Sequence, residues 1–193
     1  MFKKNLIEKV LRKFDFYYIF LITLLNKYRF KKVGKKFRIR SGCILNNPHL
    51  IEIENNVFIG DQVWLNAGEE GSENKTKLQI KNGSHISRFC HINAFNKVVI
   101  EEDVLIAENV YLGDTDHKTS IKDLPIIKQG IEIKGEITIK KGSFICRNVI
   151  INAGTTVGEN SIIAPNVVVL QKNIPPNSFV AGNPSRIFKR NIK

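Results

Sequence analysis

Seven β-branched aliphatic residues recur at intervals of six: Ile133, Ile139, Ile145, Ile151, Val157, Ile163 and Val169. Ile, Leu and Val make up 55 of the 193 residues. An unbroken run of seven would then arise by chance roughly once in ten thousand trials. Neither an α-helix, with its 3.6-residue period, nor a lone strand, with a period of two, produces this spacing. A short strand followed by a turn does, when the unit repeats. Three such units close a triangular coil, and stacked coils pair their strands in parallel about 4.8 Å apart. Each coil touches only its neighbours, so several are needed for stability.

Other slots of the hexad obey the same geometry. Four places after each aliphatic from Ile139 stand Ser143, Val149, Thr155, Ser161 and Val167; one place after each from Ile145 stand Cys146, Asn152, Gly158 and Ala164. Such residues, mostly small or β-branched, suit an interior close to a corner. The frame also runs upstream in shorter stretches: Ile39 and Leu45, then Ile53, Ile59 and Leu65, then Ile80, Ile86 and Ile92, then Ile100, Ile106 and Leu112. A two-residue slip of phase at "FNKVVI" marks a loop bulging from one corner. Asn and Gly at the turns accept strained backbone angles. The expected organisation is an all-β solenoid over residues 37–178, preceded by a helical segment, 1–36, and followed by a closing segment, 179–193.

The charge is concentrated at one end. Of a formal net +12, residues 1–40 contribute +11, with 13 Lys and Arg against Glu8 and Asp15; residues 41–193 hold 17 basic and 16 acidic residues. The longest uncharged run there, "FYYIFLITLL" at 16–25, is too short to cross a bilayer, which takes about 20 residues. No small-residue cleavage site follows it. Two readings fit: an interfacial helix on an anionic membrane, engaging residues 1–40, or a helix packed on the protein or in an oligomer contact. Nucleic acid is not the expected partner, because the apolar centre is as prominent as the charge. Cys43, Cys90 and Cys146 are odd in number and form no CxxC, so neither a disulfide framework nor a Cys-based zinc site is indicated. They read as core thiols in a reducing cytoplasm, with contact at the inner face of the plasma membrane if the interfacial reading holds.

The rhythm is interrupted once at length. Between Leu112 and the resumed frame lies "GDTDHKTSIKDLPIIKQGIEIKGE", read as a loop over 113–132. Long loops on rigid scaffolds are where chemistry is placed. A histidine can take up or release a proton near neutral pH, which makes His117 the candidate base. Asp114 and Asp116 flank it on the expected acceptor side, where a carboxylate or a backbone carbonyl would hold its second ring nitrogen.

The run "ICRNVIINAGTTVGENSIIAPNVVVLQKNIPPNSFVAGNPSRIF" resembles the hexapeptide-repeat acyltransferases. That resemblance covers residues 37–190. It implies a left-handed parallel β-helix closed by a short C-terminal helix, in a homotrimer with sites between subunits. "DTDH" is similar to the stretch carrying the general-base histidine of the family's sugar and exopolysaccharide O-acetyltransferases. The resemblance therefore implies that His117 activates an acceptor hydroxyl toward acetyl-CoA, with no metal. It places Asn93, in "HINAFN", on a saccharide acceptor. It places Arg186 and Lys189 at the nucleotide end of coenzyme A and Pro165 along the pantetheine arm. Arg147 stands where the family has a small residue, and so reshapes the groove or adds a phosphate contact. The family's further acceptor-binding acid lies in an insert this chain mostly lacks. No GxGxxG or P-loop occurs.

Three alternatives stay open at this level. N-acetylation of an amino-sugar nucleotide uses the same base. A γ-type carbonic anhydrase needs three histidines around a metal, but His85 and His91, six apart, belong on diverging sides. A non-catalytic solenoid would leave the excursion at His117 without a purpose.

Overall fold

The computed structural model describes residues 2–68, 75–170 and 172–190, with side chains from Ile7 onward. The chain winds as a left-handed parallel β-helix, a three-sided prism built from sheets of seven, eight and six strands. Strands of two to four residues succeed one another around the prism, each pairing in parallel with its counterparts in the coils above and below.

The hexad aliphatics form the core. On the second face Ile39, Ile59, Ile86, Ile106, Ile145, Ile163 and Val180 stand in register and are fully buried. On the third face the column is Leu45, Leu65, Ile92, Leu112, Ile151 and Val169. Small corner residues are also buried, and their hydroxyls are satisfied by backbone. Ser84 Oγ donates to the Glu101 carbonyl at 2.6 Å and Ser143 Oγ to the Gly158 carbonyl at 2.9 Å.

Two edges of the prism are tight turns with one left-handed residue each. Asn56, Asn109, Asn148, Asn160, Asn166 and Asn177 fill that position as expected, and Phe89 and Lys36 fill it against their intrinsic preference. The third edge joins the six-stranded face to the seven-stranded one, and the excursions leave from it. They include the 3-10 turn Pro48–Leu50, the turn at Phe95–Lys97 that causes the phase slip, and the segment 114–135.

Ile133 is a correction to the sequence reading. It matches the period but is 55% exposed. Its strand, Ile131–Ile133, pairs antiparallel with Thr115–His117 outside the prism, and the buried run begins at Ile137 and Ile139. A second correction concerns the close. Where a short C-terminal helix was expected, Arg186–Lys189 is a strand that turns back and pairs antiparallel with Ser178–Ala181. The reversal over residues 182–185 returns the chain along the edge, which caps the last parallel strand.

At the other end, helix α1 spans Phe2–Lys27. Its C-terminal third rests on the first coil. Thr23 Oγ1 accepts from the Ile39 amide at 3.1 Å, and Arg40 clasps Asp15 through both guanidinium NH2 groups at 3.1 and 3.2 Å.

Candidate active site

His117 ends the outgoing strand of the hairpin, opposite Ile131. Its side chain is exposed, and its backbone amide donates to Asp116 Oδ1 at 2.8 Å. Asp116 lies opposite Glu132 across the hairpin. Beyond it a small lobe closes over helix α2, Ile126–Gln129. The Gln129 amide is buried and ties the lobe together, accepting from the Ile121 amide at 3.0 Å and donating to the Leu124 carbonyl at 2.6 Å. The interruption read as a loop is thus a built element that holds His117 clear of the prism edge.

Asp114 has a different place from the one expected. It is fully buried, and its carboxylate accepts from the amides of Phe95 at 2.9 Å and of Asn96 and Lys97 at 2.8 Å each. It pins the neighbouring turn to the hairpin, with both carboxylate oxygens engaged by backbone amides. Burial pushes its carboxyl above the ordinary carboxylate value, against the pull of the three amides.

Asn93 lies on the strand His91–Ala94, beside Gly113 of the next coil. Its Oδ1 accepts from Asn66 at 3.1 Å and its Nδ2 donates to the Tyr111 hydroxyl at 3.3 Å. Two residues earlier in each coil, Trp64, His91 and Tyr111 form an outward ladder on the same face. The Trp64 and His91 rings stack 4.1 Å apart at 4°, and Tyr111 meets His91 edge-on. Trp64 Nε1 and His91 Nε2 are buried without a hydrogen-bond partner. The sequence reading passed over this ladder, although its three members share one signal: each immediately precedes an inward aliphatic, in "WLN", "HIN" and "YLG".

The expected donor residues lie elsewhere. Arg147 and Pro165 occupy the same edge one coil apart, since the amide of Asn166 bonds to the Arg147 carbonyl at 3.1 Å. Both are exposed, with Arg147 3.8 Å from Glu108. Arg186 opposes Ala181, next to this edge, and lines a cleft of about 340 Å³ with Gly182, Asn183 and Phe188. Lys189 opposes Ser178, at the far end of the same strand. The edge of Arg147 and Pro165 and the edge of His117 bound opposite ends of the six-stranded face. The structure therefore groups Arg147, Pro165 and Arg186, leaves Lys189 apart, and separates all four from His117 within one chain.

The cysteines do not contribute a nucleophile. Cys90 is buried and Cys43 half-buried, and desolvation pushes each thiol up to about 11; burial raises Cys146 as well. His85 and His91 lie on different sheets.

The parallel prism with a long hairpin leaving one edge is the hexapeptide-repeat architecture. Residues 136–171 match the bacterial transferase hexapeptide family (six repeats). Galactoside O-acetyltransferase of Escherichia coli (strain K12) is 31% identical over 152 residues, covering 75% of this chain and 72% of that protein. A putative lipopolysaccharide biosynthesis O-acetyl transferase of the same organism, WbbJ, is 26% identical over 159 residues, covering 79% and 78%. A solved galactoside acetyltransferase in complex with coenzyme A has a TM-score of 0.60 at 26% identity, covering 86% of this chain and 68% of that one. The chain belongs to the hexapeptide-repeat acetyltransferases.

Proposed function

We propose that this chain transfers an acetyl group from acetyl-coenzyme A to a hydroxyl of a saccharide, with His117 as general base. The observation that carries the reading is the exposed imidazole on a hydrogen-bonded hairpin, fastened at its root by a buried carboxylate. The likeness to a galactoside O-acetyltransferase supports the saccharide acceptor.

His117 takes the proton of the acceptor hydroxyl as its oxygen bonds to the thioester carbonyl. The carbon–sulfur bond then breaks, and the imidazolium returns the proton to the departing thiolate. A positioned base of this kind contributes about 10²–10⁴-fold. Asn93 and Asp116 face the acceptor side. Asn93 is held by Asn66 and Tyr111, so the ladder sets its orientation. Arg147 and Arg186 supply cations for the coenzyme's phosphates along the edge where Pro165 exposes its backbone, with Lys189 as an outlying cation.

Because these groups bound opposite ends of one face, a complete site takes His117 from one copy and the cationic edge from the next. A homotrimer supplies that geometry. Two faces of the prism suit such contacts. The six-stranded face presents Ile44, Trp64, Tyr111, Ile150 and Val168 outward, and the eight-stranded face presents Phe58, Leu105, Phe144, Ile162 and Phe179. The seven-stranded face presents mostly polar residues, Glu52, Gln79, Thr138 and Thr156 among them.

The test incubates the protein and acetyl-coenzyme A with an extracted glycan pool, following thiol release and the mass-shifted product. His117→Ala is expected to lose at least about 10²-fold in turnover with an unchanged melting temperature. Wild-type turnover in His117→Ala, or acetylation confined to an amino sugar's nitrogen, would overturn the reading.

A further inference from the structure

Helix α1 is amphipathic in the reverse of the usual sense. In a surface helix the apolar stripe faces the core. Here the residues turned toward the first coil are mixed: Asp15 bonds to Arg40, Thr23 to the Ile39 backbone, Ile22 packs beside them, and Phe16, Ile19 and Phe20 line clefts against Phe37. The opposite face carries Ile7, Val10, Leu11, Phe14, Tyr17, Tyr18, Leu21 and Leu25, with Leu24 at its margin toward the first coil and Tyr28 just past the helix end, every one exposed, from 38% at Leu24 to 79% at Tyr28. They recur at spacings of three, four and seven, so they form one continuous stripe. The stripe is three positions wide in every seven, broader than the two-position seam of a paired coil.

We infer that this face seats the protein on an anionic lipid surface, with α1 lying in the headgroup layer. The charge selects that occupant. Residues 1–40 carry +11, and Asp15, one of their two acids, is already held by Arg40. Two such helices laid face to face would bring like charges together, whereas phosphate headgroups complement them. Basic residues flank the stripe at Lys9, Lys13 and Lys27. At its C-terminal end a cleft of about 380 Å³ opens between α1 and the first coil. Lys27, Lys35 and Lys36 line this cleft with Phe20, Leu24 and Phe37, so cations stand beside apolar walls at headgroup depth. Tyr17, Tyr18 and Tyr28 suit the boundary, each having an apolar ring and a polar tip. None of the described helices is long and apolar enough to cross a membrane, so α1 lies on the surface and does not span it. Docking here stands apart from the transfer reading, since α1 contributes no residue to the proposed site.

Full-length protein is sedimented with phosphatidylglycerol vesicles and with phosphatidylcholine vesicles, at low and high salt. Binding to the anionic vesicles only, weakened by salt, is the expected result. The pair Phe14→Glu and Leu21→Glu is expected to abolish binding, and the pair Lys35→Glu and Lys36→Glu to weaken it about tenfold or more. Both pairs should keep the wild-type melting temperature and turnover on a soluble acceptor. Equal binding to neutral vesicles, or none to either kind, overturns the inference. So does a fall in solution mass with Phe14→Glu and Leu21→Glu, which would assign the face to a second copy.

Discussion

The Asp114 carboxylate and the Lys97 backbone amide stand 2.8 Å apart, and that contact fastens the root of the histidine hairpin to the turn of the adjoining coil. Phe95 and Asn96 donate to the same carboxylate. Asp114→Ala would strand three donors, so unfolding in urea should show a loss of about 3 kcal/mol or more. Turnover should fall as well, because the hairpin is no longer tied down. The pH dependence has a definite sign. The folded carboxyl titrates above its unfolded value, so this group's contribution is full below the ordinary carboxylate range and is lost as pH rises through the raised value. Melting temperatures of wild type and Asp114→Asn across that range should show the slope in the wild type alone.

Gly113 has no room for a side chain, because a Cβ there would collide with the Tyr111 phenol. That phenol leans across Gly113 to accept from Asn93. Gly113→Ala is expected to cost about 1–3 kcal/mol as the ring is displaced. In a Tyr111→Ala background, which removes the colliding ring, the cost should shrink. A double-mutant cycle read by denaturation measures the coupling, and additive losses would refute it.

Trp64 is the sole tryptophan, and its ring lies against His91. Burial holds the His91 imidazole below its ordinary value, with a smaller opposing pull from Asn93. A folded value below the unfolded one means this contribution is present above the ordinary histidine range and is lost as pH falls through the lowered value. Titration should change Trp64 fluorescence with a midpoint below 6.5, the ordinary value for histidine. His91→Gln should abolish the transition, and a midpoint at or above that value would contradict the packing.

If the site is shared between copies, two inactive variants should rescue each other. His117→Ala and a variant with Arg147→Glu and Arg186→Glu are each expected to be inactive. Co-expressed, they can form mixed trimers in which some interfaces pair an intact His117 with an intact cationic edge. Recovery of about a fifth to a quarter of wild-type turnover fits random mixing of subunits in a closed ring. No recovery in mixtures verified by tagged pull-down would place the whole site within one chain.

The prism was legible because burial along a parallel sheet imposes a fixed spacing, and aliphatics at that spacing leave a signal that neither an α-helix nor a lone strand produces. The corner asparagines were legible for the same reason, and so was the place where the rhythm fails at His117. The role of Asp114 was not, because a carboxylate that caps amides 17 to 19 residues earlier leaves no local pattern. Ile133 kept the period by coincidence of hairpin length. The four residues Arg186–Lys189 are too few to distinguish helix from strand, and only the open sheet edge beside them decides. The ladder from Trp64 to Tyr111 was hidden by unequal gaps, 27 residues and then 20, created by the excursions on the third edge. For α1 the apolar run at 16–25 was visible, but the choice between an interfacial and a packed helix was not.

The amides along one edge have an evolutionary consequence. Asn109 Nδ2 donates to Asn148 Oδ1 and Asn148 Nδ2 to Asn166 Oδ1, each at 2.9 Å, so three successive storeys are clipped together by the same bond. Such a joint is indifferent to how many storeys precede it. Whole turns can be duplicated or deleted from this tower without redrawing the hairpin, which would let descendants alter the depth of the groove while inheriting its chemistry intact.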